Sequence, residues 1–99
     1  MRFGFHAGAE SEYAKAIRHY LKIDPKVAED FVAEIEHGVQ AICRNPLTWR
    51  VIEDDVRRYL SHRFPYGIYY TVDANFVTVW AIFHLNRKPG LWKGRLRKR

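Results

Sequence analysis

A single cysteine, Cys43, stands in 99 residues, so no intramolecular disulfide can form. That fits a reducing compartment, and on an apolar helical stripe Cys43 reads as a small buried hydrophobe. No apolar run approaches the ~18–20 residues that span a bilayer. The N-terminus, Met1-Arg2-Phe3-Gly4-Phe5-His6, soon turns polar and acidic, which does not fit a signal peptide. Six glycines form no phosphate-cradling loop of the GxGxxG or Walker kind. No serine sits in a G-x-S-x-G elbow. One cysteine and five scattered histidines do not supply a zinc site. The acidic run Glu53-Asp54-Asp55 reads as solvated turn chemistry. No metal and no cofactor is expected.

What is present is apolar and basic. The hydrophobic fraction of 47%, with 15% aromatics, excludes disorder. The length suits one domain, residues 1–99, with one modest core. The formal charge of +6 is unevenly placed: through Trp49, six Lys/Arg face seven Asp/Glu, and from Arg50 onward eleven face four. A basic C-terminal half points to a polyanion or an acidic protein as partner.

Residues 2–6 alternate, which puts Phe3 and Phe5 on one face of a strand. After Gly8 a helical period begins, with Ala9, Tyr13, Ala16, Ile17, Tyr20 and Leu21 on one stripe. Glu10, Glu12, Lys15, Arg18 and His19 are expected on its remaining surface. Asp24-Pro25 is an N-cap followed by a proline at the first helical position, where the missing N–H costs nothing. A second helix then carries Ala28, Phe31, Val32, Ile35, Val39, Ile42 and Cys43 inward, with Glu29, Asp30, Glu34, Glu36 and Gln40 pointing away. Asn45-Pro46 stops it. Residues 47–55 read as a connector.

Val56-Arg57-Arg58-Tyr59-Leu60-Ser61-His62-Arg63 alternates imperfectly and reads as a strand with one wet, basic side. Two runs of apolar and β-branched residues, 63–72 and 76–85, flank the break Asp73-Ala74-Asn75, the pattern of a β-hairpin. In the last strand, strict alternation puts Val77, Val79, Ala81, Phe83 and Leu85 on one face and Phe76, Thr78, Trp80, Ile82 and His84 on the other. Both faces are apolar, so the strand is interior. Helices can cover one face; the other requires the tail, a partner or a second copy. The predicted order is β-α-α-β-β-β, an α+β domain with a helical hairpin on one face of a mostly antiparallel sheet. A basic tail follows over residues 87–99. The expected core includes Phe3, Phe5, Tyr13, Ile17, Phe31, Ile35, Val39, Ile68, Tyr70, Val79 and Ala81.

The residues left for chemistry are basic and aromatic: Arg57, Arg58, His62, Arg63, Tyr66, Tyr69, His84, Arg87, Trp92 and Arg95. Guanidinium groups pair bidentately with phosphate, and aromatics stack on unpaired bases. Histidines such as His62 and His84 could shuttle protons in a metal-free ribonuclease. The plainer reading makes them strand-end and rim residues.

Three stretches in register resemble one family: Val56-Arg57-Arg58-Tyr59-Leu60; Arg63-Phe64-Pro65-Tyr66-Gly67-Ile68-Tyr69-Tyr70-Thr71-Val72; and Val79-Trp80-Ala81-Ile82-Phe83-His84-Leu85-Asn86-Arg87 with Pro89 and Trp92 beyond. They are similar to the V-R-R strand, the F-P-Y-x-I-x-Y strand and the H-x-x-R strand end of the RelE/ParE superfamily of type II toxins. The ParE-like plasmid stabilization branch is the nearer. The resemblance covers essentially the whole chain and implies the RelE/ParE-like toxin fold. It also implies a cytoplasmic growth-inhibiting toxin, without membrane association, neutralised in a hetero-oligomer by a co-encoded antitoxin.

ParE-type toxins are associated with inhibition of DNA gyrase, and RelE-type toxins cleave mRNA on the ribosome. The nuclease branch carries lysines on its central strands, whereas this chain has none between Lys26 and Lys88. Non-catalytic binding of a target such as gyrase is therefore the leading expectation. Arg57, Arg58, Tyr66, His84, Arg87, Trp92 and Arg95 are the candidates for target or antitoxin contact. The alternative is a ribosome-dependent endoribonuclease using Arg58, Arg63, His84 and Arg87.

Overall fold

The computed structural model describes residues 1–86 and 93–96. Strand β1 (Arg2–Phe5) leads into helix α1 (Ala7–Ile23) and helix α2 (Pro25–Arg44). Four strands follow, β2 (Val51–Glu53), β3 (Val56–Leu60), β4 (Tyr66–Asp73) and β5 (Phe76–His84), and then the short helix α3 (Lys93–Leu96). The predicted α+β order holds, with two additions. The connector over residues 47–55 contains β2, and the tail contains α3. The five strands lie in the order β1-β5-β4-β3-β2. β1 pairs parallel with β5, and every other neighbour is antiparallel.

Local chemistry sets the helix ends. His6 caps α1 by accepting the Gly8 N–H on Nδ1 at 2.9 Å. Asp24 alone joins the two long helices, closing α1 through its own N–H and capping α2 by accepting from Lys26 N at 2.8 Å. Pro25 and Asn45 take the expected first-helical and C-cap positions. The β4–β5 turn places Ala74 and Asn75 at φ 45° and 65°, the paired left-handed conformation of a two-residue hairpin loop.

Both long helices cover one face of the sheet. Phe31, Ile35, Val39 and Ile42 pack with Tyr59, Ile68, Tyr70, Val77, Val79 and Ile82. Each large apolar side chain buried this way contributes about 1.5–3 kcal/mol. The approach is close at Gly38, where a Cβ would lie 2.7 Å from the Tyr59 ring and 2.9 Å from Ile68 Cδ1. Phe3 departs from the expected core. It sits on the edge strand β1 and is 48% exposed.

The strict alternation expected for β5 is broken by a bulge. Tyr69 pairs with Ala81 and Tyr70 with Val79, so Trp80 is the extra residue of the bulge. Val77 and Val79 face the helices, but past the bulge Ile82 does so, and Ala81 and Phe83 turn to the opposite face. There they join Val56 and Tyr69, with Ile52 and Leu96 packed against them. The tail, through Leu96, thus covers part of the second face. Trp80 closes its own polar account by donating Nε1–H to Thr71 Oγ1 at 2.9 Å, in buried surroundings.

Candidate functional site

His84 ends β5 opposite Tyr66, with its ring 5.3 Å from the tyrosine ring and tilted 75°. The Asn86 N–H donates to its Nδ1 at 3.1 Å, which orients the imidazole and leaves Nε2 as its other polar atom. Together they line a cleft of about 540 Å³ whose far wall is α1, through Glu12, Lys15, Ala16 and His19. Those four positions are spaced i, i+3, i+4 and i+7, so one helical stripe faces the strand end. Sequence reasoning singled out neither Lys15 nor His19 as a site residue. The spacing was readable, but only the helix–sheet packing says that it meets His84.

Arg95 occupies the same region from the side. Its guanidinium pairs with both oxygens of Glu12, at 3.0 and 2.8 Å, and donates to Trp80 O at 2.8 Å. Glu12 also accepts the Ile82 N–H at 3.1 Å. β1 covers β5 only from Phe76 to Val79, so this ion pair satisfies backbone groups along the β5 edge beyond it. The pair is sheltered, with Glu12 only 11% and Arg95 21% exposed in their side chains. Glu12 was expected on the solvent face of α1 and instead points inward. Arg95 is held by the fold itself.

The remaining arginines are dispersed. Arg57 turns toward the helix side and donates to Leu47 O at 3.2 Å and Trp49 O at 2.7 Å, anchoring the loop after α2. Arg58 pairs across the ladder with Tyr69 on the opposite face, its aliphatic stem beside Gly67. Arg63 lies in the β3–β4 loop, 3.5 Å from Asp30 and over the Phe64 ring. That loop is gripped by Glu34, which accepts from Ser61 Oγ and from the N–H groups of Arg63 and Phe64. Glu34 therefore does not point away as the helical pattern suggested. Arg58 and His84 stand on opposite faces of the sheet. Arg87 and Trp92 lie outside the described residues.

Burial, and secondarily the negative charge of Glu36, pushes the Tyr13 hydroxyl up to about 12. Burial raises Tyr70 to about 12 as well, opposed in part by Arg57; its hydroxyl donates to Pro46 O at 2.6 Å. Burial also raises the Cys43 thiol, which disfavours a reactive thiolate. Among the described residues no group of three or more His, Cys, Asp and Glu could hold a metal ion. No helix among them is long and apolar enough to cross a membrane.

No curated protein matches the chain. A solved structure from a system described as the chromosomal ParDE TA system from P. aeruginosa shares its fold. The TM-score is 0.75 at 19% identity, over 87% of this chain and 97% of that one. The family model for the ParE toxin of the type II toxin–antitoxin system parDE matches residues 4–89. With the helical hairpin, the five-stranded sheet and most of the sequence accounted for together, the chain belongs to the ParE toxin family of type II toxin–antitoxin systems.

Proposed function

We propose that this toxin is held inactive by a co-encoded antitoxin and, once released, arrests growth by binding DNA gyrase without cutting nucleic acid. The observation that carries the non-nucleolytic part is the separation of Arg58 and His84 onto opposite faces of the sheet. A proton-transfer group and a phosphate clamp must meet within hydrogen-bond reach of one phosphate, and these two do not converge. Arg57 and Arg95 are committed to internal partners, so contact with the target falls to Arg58, His84 and the residues beyond them. Tyr66 is buried and acts by setting the His84 ring.

The antitoxin reading has its own support. An apolar groove runs along the outer side of the helical hairpin, lined by Ile17, Leu21, Pro25, Ala28, Val32 and Ala33 and rimmed by Glu29 and Glu36. Leu21 is 49% and neighbouring Ile23 62% exposed. Such a strip suits an amphipathic helix. Induction of the chain alone should stop growth, and co-expression of the adjoining antitoxin should restore it with recovery of a complex. Purified chain should inhibit supercoiling by gyrase; unchanged supercoiling over a wide concentration range would remove gyrase as the target. Intact transcripts in primer extension are expected, and discrete cuts lost in His84→Ala would reverse the non-nucleolytic reading.

A further inference from the structure

Arg50 and Arg58 are set apart by lining one cleft together. Arg57, Arg63, Lys93 and Arg95 each have a carbonyl or carboxylate partner. Arg50 and Arg58 have neither in their side chains among the described residues, yet they are neighbours. Arg58 N donates to Arg50 O at 3.1 Å, which pins one backbone against the other. Both line a cleft of about 610 Å³ between the later turns of α2 and the end of β3. His37 enters it from the helix and His62 from the loop after β3, and Trp49 contributes an aromatic wall. The lining contains no Asp or Glu among the described residues. Two arginines lining one cleft whose described walls carry no carboxylate favour an anion there.

We propose that this cleft binds single-stranded nucleic acid, with a phosphate held by Arg50 and Arg58 and a base against Trp49. The half-buried indole packs on Tyr59 at a centroid distance of 5.1 Å, so it is a braced surface. Stacking on such a surface, beside a basic groove, is the way single strands are held without sequence reading. The His84 cleft shares no described lining residue with this one and contains a carboxylate, so the two sites are distinct. The inference goes beyond the gyrase reading and stands without it.

The test is fluorescence anisotropy of the full chain, freed of antitoxin, with a labelled DNA strand of about 12 nucleotides at about 0.1 M salt. Binding is expected to weaken roughly tenfold or more in the Arg50→Ala/Arg58→Ala variant, with a shallower salt dependence. Arg18→Ala/Lys22→Ala removes the same charge from α1 and should leave affinity near that of the parent. Equal loss in both variants would mean nonspecific attraction to net charge and would overturn the site. The unmutated chain gives a second readout that needs no variant: the Trp49 indole N–H resonance should shift on titration. A resonance that stays still overturns the proposal. Displacement of the strand by poly-glutamate at equal charge would assign the cleft to an acidic protein segment instead. Oligonucleotide binding with unaffected supercoiling would retain the cleft and dismiss only gyrase.

Discussion

Ala74 holds a backbone conformation that disfavours any side chain, with φ at 45° in the first central position of the β4–β5 turn. Glycine there removes the clash of Cβ with the following carbonyl, at some entropic cost in the unfolded chain. Ala74→Gly should therefore raise stability by about 0.5–1 kcal/mol, seen as a rise of a few degrees in Tm. Tyr13 allows a second check through pH. Its hydroxyl titrates at about 12 in the fold, above the ordinary value of 10.0. The folded state therefore keeps a proton that the unfolded state releases first. Stability is complete below pH ~10 and falls as pH rises toward 12. Tyr70 contributes in the same direction. Urea unfolding at stepped alkaline pH should show this decline, and Tyr13→Phe should flatten part of it.

A four-residue helix such as α3 has no stability of its own. What holds it is the Arg95–Glu12 pair, the contact of Arg95 with the Phe83 ring at 5.5 Å, and Leu96 on the second apolar face. Lys93 also meets Glu53 at 2.9 Å, but both side chains are well exposed, and such pairs add little. Glu12→Gln keeps an oxygen for the Ile82 N–H but removes the charge and the second acceptor, setting an amide NH2 against Arg95 Nη2. It should cost about 1–2 kcal/mol in urea unfolding, against under about 0.5 kcal/mol for Lys93→Ala. Equal effects would mean that the sheltered pair is not what secures the element. The bulge at Trp80 belongs to this scale too. By reversing the facing of β5 halfway along, it sends Ile82 and His84 to the α1 side and leaves Phe83 for the tail to cover.

Across the whole molecule the surfaces divide by chemistry. The outer side of the helical hairpin offers an apolar strip edged by carboxylates, and the β3 end offers unpaired cations. Leu21→Glu should leave the fold intact, since that side chain is 49% exposed. It should weaken antitoxin binding by tenfold or more, roughly 1.4 kcal/mol, measured by calorimetry on the toxin–antitoxin pair. Toxicity in the absence of antitoxin should persist in this variant, because the groove shares no described lining residue with the clefts at Arg58 and His84. Loss of both properties together would mean that antitoxin and target share one surface.

The elements that could be read from the chain itself are those decided within a few residues. Asp24-Pro25 and Asn45-Pro46 end and begin helices through their own backbone restrictions, and Ala74-Asn75 marks a tight hairpin turn. The apolar periods of the helices and the two-sided strands then implied a hairpin on a sheet, and the resemblance of three stretches implied the family. The roles of individual charged residues could not be read that way. Glu12 meets Arg95 across 83 positions, and Glu34 meets Ser61 across 27. The sequence pattern of a surface helix is the same whether its acid faces water or a distant arginine. Arg57 and Arg58 are adjacent and chemically identical, yet one anchors a loop and the other does not, because neighbours on a strand face opposite ways. The sequence by itself determined the elements and the kind of protein. Only the tertiary structure decided which cations are spent on the fold and which remain for a partner.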